Sequence, residues 1–263
     1  MFPFRDHNPT QNRPYVTWLL IAINVLVFAL QTSKFGLGGE ALGQFFETWG
    51  AKPASFLAGG DWKTLVTCMF LHSGVMHVGG NMMFLYIFGD NLEDILGHFG
   101  FLAFYLVVGI GASYSHAWSE PQSLVPLVGA SGAVAGVMGG YLLYFPLARV
   151  DILLILGLYT RIFTVPAFVM LGAWFGLEFF QALKHQGAGV AHWAHTGGLA
   201  IGLVSMVPLW FWHGGPKLWR KIQGKPPHAP THPPVVMGRT ARPLGRPDRW
   251  SLPPARSQDR FGL

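Results

Sequence analysis

The chain has 263 residues, of which 51% are hydrophobic and only 11% charged, with 34 glycines and a formal net charge of +6; its mean hydropathy is +0.37. Soluble domains spend about 25% of their residues on charge, so an ordinary water-soluble globule is excluded, and the long apolar runs exclude a chain disordered throughout. The single cysteine, Cys68, excludes an intrachain disulfide framework and a cysteine-based metal cluster.

In chain order, a short segment, 1–14, precedes the first apolar run at 15–31. Further runs near the roughly 20 residues that cross a bilayer lie at 99–115, 130–145, 162–181 and 191–212. A sixth, 77–96, has the length and an apolar middle but carries His77, Asn81 and Asp90. Polar groups inside a span are costly and face the bundle interior, which makes this helix a central one. The stretch 151–159 is too short to cross and is expected at the interface. The predicted fold is therefore all-α: a polytopic bundle of six transmembrane helices over 15–212, between a cytoplasmic segment 1–14 and a disordered tail 213–263.

Charge supports that division. From Lys217 to the end there are ten Lys and Arg against Asp248 and Asp259, whereas the first 216 residues hold eight against ten acids. Ten of the 19 prolines fall in 213–263. The basic tail suits attraction to anionic membrane lipids, and no nucleic-acid partner is expected. With six spans, Arg5, Arg13, Arg149, Arg161 and the ten tail cations share a side, leaving four lysines opposite, so both termini are expected in the cytoplasm. The first run is longer than the apolar core of a cleavable signal and lacks a clear small-residue cleavage site, so it is expected to stay.

The unusual residues converge at one depth. Spans two, four and six all run inward, with His77 and Asn81 on one face of the first, Ser131 in the first turn of the second and His195 early in the third. Ser131, Ala135 and Gly139, with Gly132, Gly136 and Gly140, form adjacent small stripes; His195, Gly198, Gly202 and Ser205 form another. Such stripes let backbones approach closely, which is ordinary membrane packing taken alone but here draws Ser131 toward His195. A serine hydroxyl becomes a nucleophile when a neutral histidine takes its proton, and the tetrahedral intermediate needs donors aimed at its oxyanion. No Asp or Glu lies at this level on spans two, four or six, which predicts a dyad without an orienting carboxylate. Glu178, near the outer end of span five, is expected to reach the headgroups. His72 is expected to serve loop structure and, with His77, Asn81 and His192, to line a polar cavity that admits water. His72, His77 and His192 also make a nonspecific metal-site pattern; no metal is expected.

The motifs Gly129-Ala130-Ser131-Gly132, His77-Val78-Gly79-Gly80-Asn81 and Ala194-His195-Thr196-Gly197-Gly198 together resemble those of the rhomboid intramembrane serine proteases. The resemblance covers about 15–212, including Phe88-Gly89-Asp90-Asn91-Leu92-Glu93. It implies Ser131 as nucleophile, His195 as general base, and His77 and Asn81 as oxyanion-stabilising side chains beside the Ser131 N–H. It also implies an endopeptidase that cuts transmembrane helices of other proteins near their outer ends and needs no cofactor. Two positions depart from the family pattern: Ala135, where an aromatic ring often packs on the base histidine, and Trp62-Lys63, where Trp-Arg is common. The alternative reading is a noncatalytic rhomboid-like scaffold that binds transmembrane partners; a transporter would instead carry charges along a path or broken helices near the midplane. A bacterial-type plasma membrane is the expected location.

Overall fold

The computed structural model describes residues 2–156, 159–184 and 190–222, so most of the predicted tail lies outside the described residues. The chain is mostly helical. It runs β1 (Phe2–Asp6), α1 (Tyr15–Phe35), α2 (Glu40–Trp49), α3 (Pro53–Leu57) and α4 (Thr64–Thr67), which leads into a 3-10 turn at Cys68–Phe70. It continues with α5 (Val75–Ser119), α6 (Ser131–Tyr144), β2 (Arg149–Leu156), β3 (Tyr159–Pro166), α7 (Ala167–Lys184), α8 (His192–Trp212) and α9 (Pro216–Ile222).

By length and composition, α1, α5 and α8 can cross a membrane. With 45 residues α5 would measure about 68 Å as one rod, more than twice the roughly 30 Å hydrocarbon core. It is broken at Gly97, whose φ of 69° and ψ of 167° are non-helical and suit glycine. The break falls where the predicted spans 77–96 and 99–115 meet. Helix α6 matches the predicted 130–145 to within a residue at each end.

An all-α fold is corrected by a three-stranded antiparallel sheet in the order β1-β2-β3. Residues 162–166, expected to open span five, instead pair with β2, Phe163 facing Ile152 and Val165 facing Val150, and α7 begins only at Ala167. Of the stretch 151–159, residues 151–156 and Tyr159 belong to the same pairing, with 157 and 158 outside the described residues, and Phe2–Asp6 adds a third strand. Hydropathy cannot separate a buried strand from a helix end over so few residues. The sheet has a polar clasp: Asp151 accepts from Arg5 Nη2 at 2.7 Å, from Thr164 Oγ1 at 2.6 Å and pairs with His7 Nε2 at 3.0 Å. Burial pushes the Asp151 carboxyl up, but hydrogen bonds from Thr164, His7 and Arg5 outweigh it and hold the group below the usual carboxylate range.

A second correction concerns the start of the tail. Residues 216–222 are helical, because Leu218 is buried and Trp219 Nε1 donates to the Leu143 carbonyl at 2.9 Å. The acids at the end of the first half of α5 bind the segment that leads into and opens α1. Glu93 accepts from the Val16 and Thr17 N–H groups at 2.9 and 2.7 Å, capping the otherwise unpaired start of α1, and Asp94 accepts from the Gln11 N–H at 3.1 Å.

The core is α6, held between α5 and α8, with nearly every residue from Gly132 to Tyr144 buried. A Cβ added to Gly202 would lie 2.0 Å from the Gly136 carbonyl oxygen, and one on Gly139 would lie 2.1 Å from that of Leu199. Only hydrogen at these positions permits such an approach. It sets the two helices close enough for the side chains at their N-terminal ends to touch.

Candidate active site

The site is assembled from the loop before α5 and the first turns of α5, α6 and α8. His72 is fully buried in that loop, its backbone clamped by Gln31, whose Nε2 donates to the His72 carbonyl at 2.5 Å. Burial, then the nearby His77, push the His72 imidazole down to about 3. It is neutral at physiological pH, and its Nε2 accepts from Asn81 Nδ2 at 3.0 Å. His72 thus holds the Asn81 amide, a contact beyond the loop role expected of it.

His77, two residues into α5, stands beside the turn that starts α6. Its Nδ1 accepts from Ser73 Oγ at 3.0 Å, leaving the hydrogen on Nε2. That Nε2 faces Gly129, where an added Cβ would lie only 2.6 Å away, and Gly129 has a φ of +128°. Glycine is therefore required here twice over, for the backbone conformation and for room. Gly129 N–H donates to the Cys68 carbonyl at 2.9 Å, fixing the turn before Ser131.

Ser131 is the first residue of α6 and His195 the fourth of α8. Ser131 Oγ and His195 Nε2 are 2.8 Å apart. His77, Asn81, Ser131 and His195 all line one cavity of about 730 Å³, so the four predicted site residues are brought together. His72 and His192, expected from sequence to line it as well, do not border it. A hydroxyl bonded to an imidazole, donors one turn away and an open cavity are the parts that acyl transfer needs.

The expectation of a pair without a carboxylate is corrected. Glu178 of α7 places Oε2 2.9 Å from His195 Nδ1 and 2.7 Å from His192 Nδ1. It is buried rather than at the headgroups. The expectation that Glu178 reaches the headgroups fails because a carboxylate within an apolar run at the depth of His195 is stabilised by a partner there. Trp174, one turn before Glu178, lies against the imidazole, with ring centroids 5.9 Å apart and planes inclined by 31°. It occupies the role that Ala135 leaves open. Glu178, His192 and His195 offer ligand atoms within 4.8 Å of one another and are the group that could hold a metal ion among the described residues. Their short mutual hydrogen bonds already satisfy that carboxylate oxygen.

Comparison with known proteins agrees with the motifs. The Rhomboid domain model matches residues 59–211. The chain is 35% identical over 137 residues to the Rhomboid protease GluP of Bacillus subtilis, covering 52% of this chain and 26% of that protein. It is 29% identical over 204 residues to Rhomboid protein 1, mitochondrial, of Saccharomyces cerevisiae, covering 72% and 51% respectively. To the Rhomboid protease AarA of Providencia stuartii it is 28% identical over 142 residues, 49% of this chain and 50% of that one. The chain thus spans about half the length, or less, of these curated relatives.

Proposed function

The chain belongs to the rhomboid family, and from that premise we propose that it is an intramembrane serine endopeptidase in which Ser131 is the nucleophile and His195 its general base. It is an integral membrane protein by its apolar helices and its family. The observation that carries the catalytic reading is the 2.8 Å separation of Ser131 Oγ and His195 Nε2 at the wall of an open cavity.

In this mechanism His195 Nε2 accepts the Ser131 proton as Oγ attacks a peptide carbonyl, and the same nitrogen returns the proton to the leaving amine. The developing oxyanion is met by His77 Nε2–H, by Asn81 and by the N–H groups of the first turn of α6, which have no intrahelical acceptor. Water entering the cavity then hydrolyses the acyl-enzyme. Each step uses only a hydroxyl, an imidazole, donors and water.

The substrate is a transmembrane helix of another protein, cut near the outer leaflet after it partly unwinds, because an intact helix holds its carbonyls in its own hydrogen bonds. Entry is lateral, past α7: an added Cβ on Gly172 or Gly176 would meet nothing within 4 Å, in contrast to the glycines of α6. The six spans are α1, the two halves of α5 on either side of Gly97, α6, α7 and α8. An even count puts both termini on one side, and the excess of Lys and Arg there assigns that side to the cytoplasm and the site to the outer half of the bilayer, which suits a bacterial plasma membrane. Segment 1–14 and the basic tail 213–263 flank the membrane domain 15–212, the tail lying against anionic lipid.

The test is labelling of purified protein with a serine-directed fluorophosphonate, followed by mapping of the modified residue, alongside cleavage of a model transmembrane substrate. Modification of Ser131 is expected, and Ser131→Ala and His195→Ala should each insert normally and reduce cleavage to background. Parent-like cleavage by Ser131→Ala overturns the assignment, and an unreactive Ser131 is the result a noncatalytic scaffold would give.

A further inference from the structure

A carboxylate accepts hydrogen bonds and donates none. Oε2 of Glu178, at 2.9 and 2.7 Å from two imidazole Nδ1 atoms, therefore fixes both rings as Nδ1–H donors. For His195 this leaves the lone pair on Nε2, the atom that faces Ser131 Oγ. We infer that Glu178 is a positioning residue for the reaction, holding His195 in the tautomer and ring orientation in which it takes the Ser131 proton. The inference rests on the reading above, in which His195 is the base.

Three observations carry it. The helix that bears Ser131 offers no ring to hold the imidazole: one turn after Ser131 stands Ala135, fully buried, with its methyl beside Gly198 of α8. Both constraints on His195 come instead from one face of α7, where Trp174 covers the ring plane and Glu178, four residues later, holds its edge. A plane and an edge together restrict both side-chain torsions of a histidine. The carboxylate is itself held, because His192 Nδ1 donates to the same oxygen at 2.7 Å. A charged group in an apolar helix is costly unless paired, and these two imidazoles are the partners that retain it. When His195 takes the serine proton, the resulting imidazolium is met by an anion at hydrogen-bond distance that needs no rearrangement.

The experiment measures kcat and KM for the model substrate with full-length Glu178→Gln and Glu178→Ala, together with Tm in detergent. Glu178→Gln keeps the size of the side chain and loses its charge; kcat is expected to fall about 10²- to 10⁴-fold with KM changed by less than about threefold, and Glu178→Ala to fall at least as far. A merely structural role would give losses that follow Tm and raise KM together with the fall in kcat, which overturns the proposal. A kcat within twofold of the parent overturns it as well. A measurement on the unaltered protein holds even if both variants fold poorly: in 15N-histidine spectra the His195 resonances, assigned by their absence in His195→Ala, should report a protonated Nδ1 and a bare Nε2. The opposite tautomer overturns the inference. If Ser131→Ala abolishes cleavage while Glu178→Gln does not reduce it, this inference alone falls; if Ser131→Ala cleaves like the parent, the protease reading falls with it.

Discussion

Asn81 illustrates how one side chain is prepared for work. Its Nδ2 is tied to His72 Nε2 at 3.0 Å, and His72 is in turn clamped by Gln31 from α1, so the amide reaches the cavity with one hydrogen committed and one available. Asn81→Ala should lower kcat by about 10- to 100-fold with KM little changed, a smaller loss than removing Ser131, because His77 and the α6 N–H groups still face the oxyanion. A steady-state comparison of the two variants checks this, and an Asn81→Ala kcat equal to the parent's would remove Asn81 from the oxyanion site. Four site residues were legible from sequence because each stands within a turn or two of the start of its helix, so that depth follows from counting along a span. Glu178 was not, because its depth is set by where α7 begins, and that start is displaced by a strand. His72 acts through Asn81, a relation between two side chains nine residues apart that spacing alone does not reveal.

At the scale of elements, the approach of α6 to α8 carries the site. An added Cβ on Gly202 would lie 2.0 Å from the Gly136 carbonyl oxygen and one on Gly198 2.2 Å from that of Gly132, both against backbone that cannot rotate away. Gly202→Ala must therefore push the helices apart, at a cost of about 1–3 kcal/mol or more, and it should separate Ser131 from His195 as well. Tm should fall by several degrees, at about 2–4 °C per kcal/mol, with cleavage lost in the same variant. Gly43→Ala is the matched control, since in α2 the added methyl meets nothing within 4 Å; it should leave activity intact and hold or raise Tm by helix propensity. Equal behaviour of the two variants in thermal melts would show that the close crossing is not what those glycines provide. The small-residue stripes were readable because their period is helical. The β2–β3 hairpin was not, since its strands are apolar enough to read as membrane helix and, at eight residues each, too short for hydropathy to separate the two.

Across the whole molecule, the N-terminal strand joins the sheet to the end of the bundle away from Ser131 through Asp6. Its Oδ2 accepts from the buried Tyr141 hydroxyl of α6 at 2.7 Å and lies 3.5 Å from Asn91 Nδ2 of α5. Burial, then the charge of Asp90, push the Asp6 carboxyl well above the usual carboxylate range. A carboxyl raised in the folded state contributes stability that is fully present below its unfolded pKa of about 3.9 and is lost as pH rises through the folded value. Raising the pH from 5 to 8 should accordingly destabilise the parent by way of Asp6. The Asp6→Asn substitution keeps an oxygen for the Tyr141 hydroxyl and leaves no charge to bury, so this variant should be the more stable protein at pH 8, by about 1–2 kcal/mol and hence several degrees of Tm. Its Tm should also decline less between pH 5 and 8. Melting curves of both proteins in detergent at the two pH values decide the matter: parallel declines would mean that Asp6 titrates alike in the folded and unfolded chain. A lower Tm for Asp6→Asn at pH 8 would mean that the charged form is the one the fold stabilises, through the Tyr141 hydroxyl.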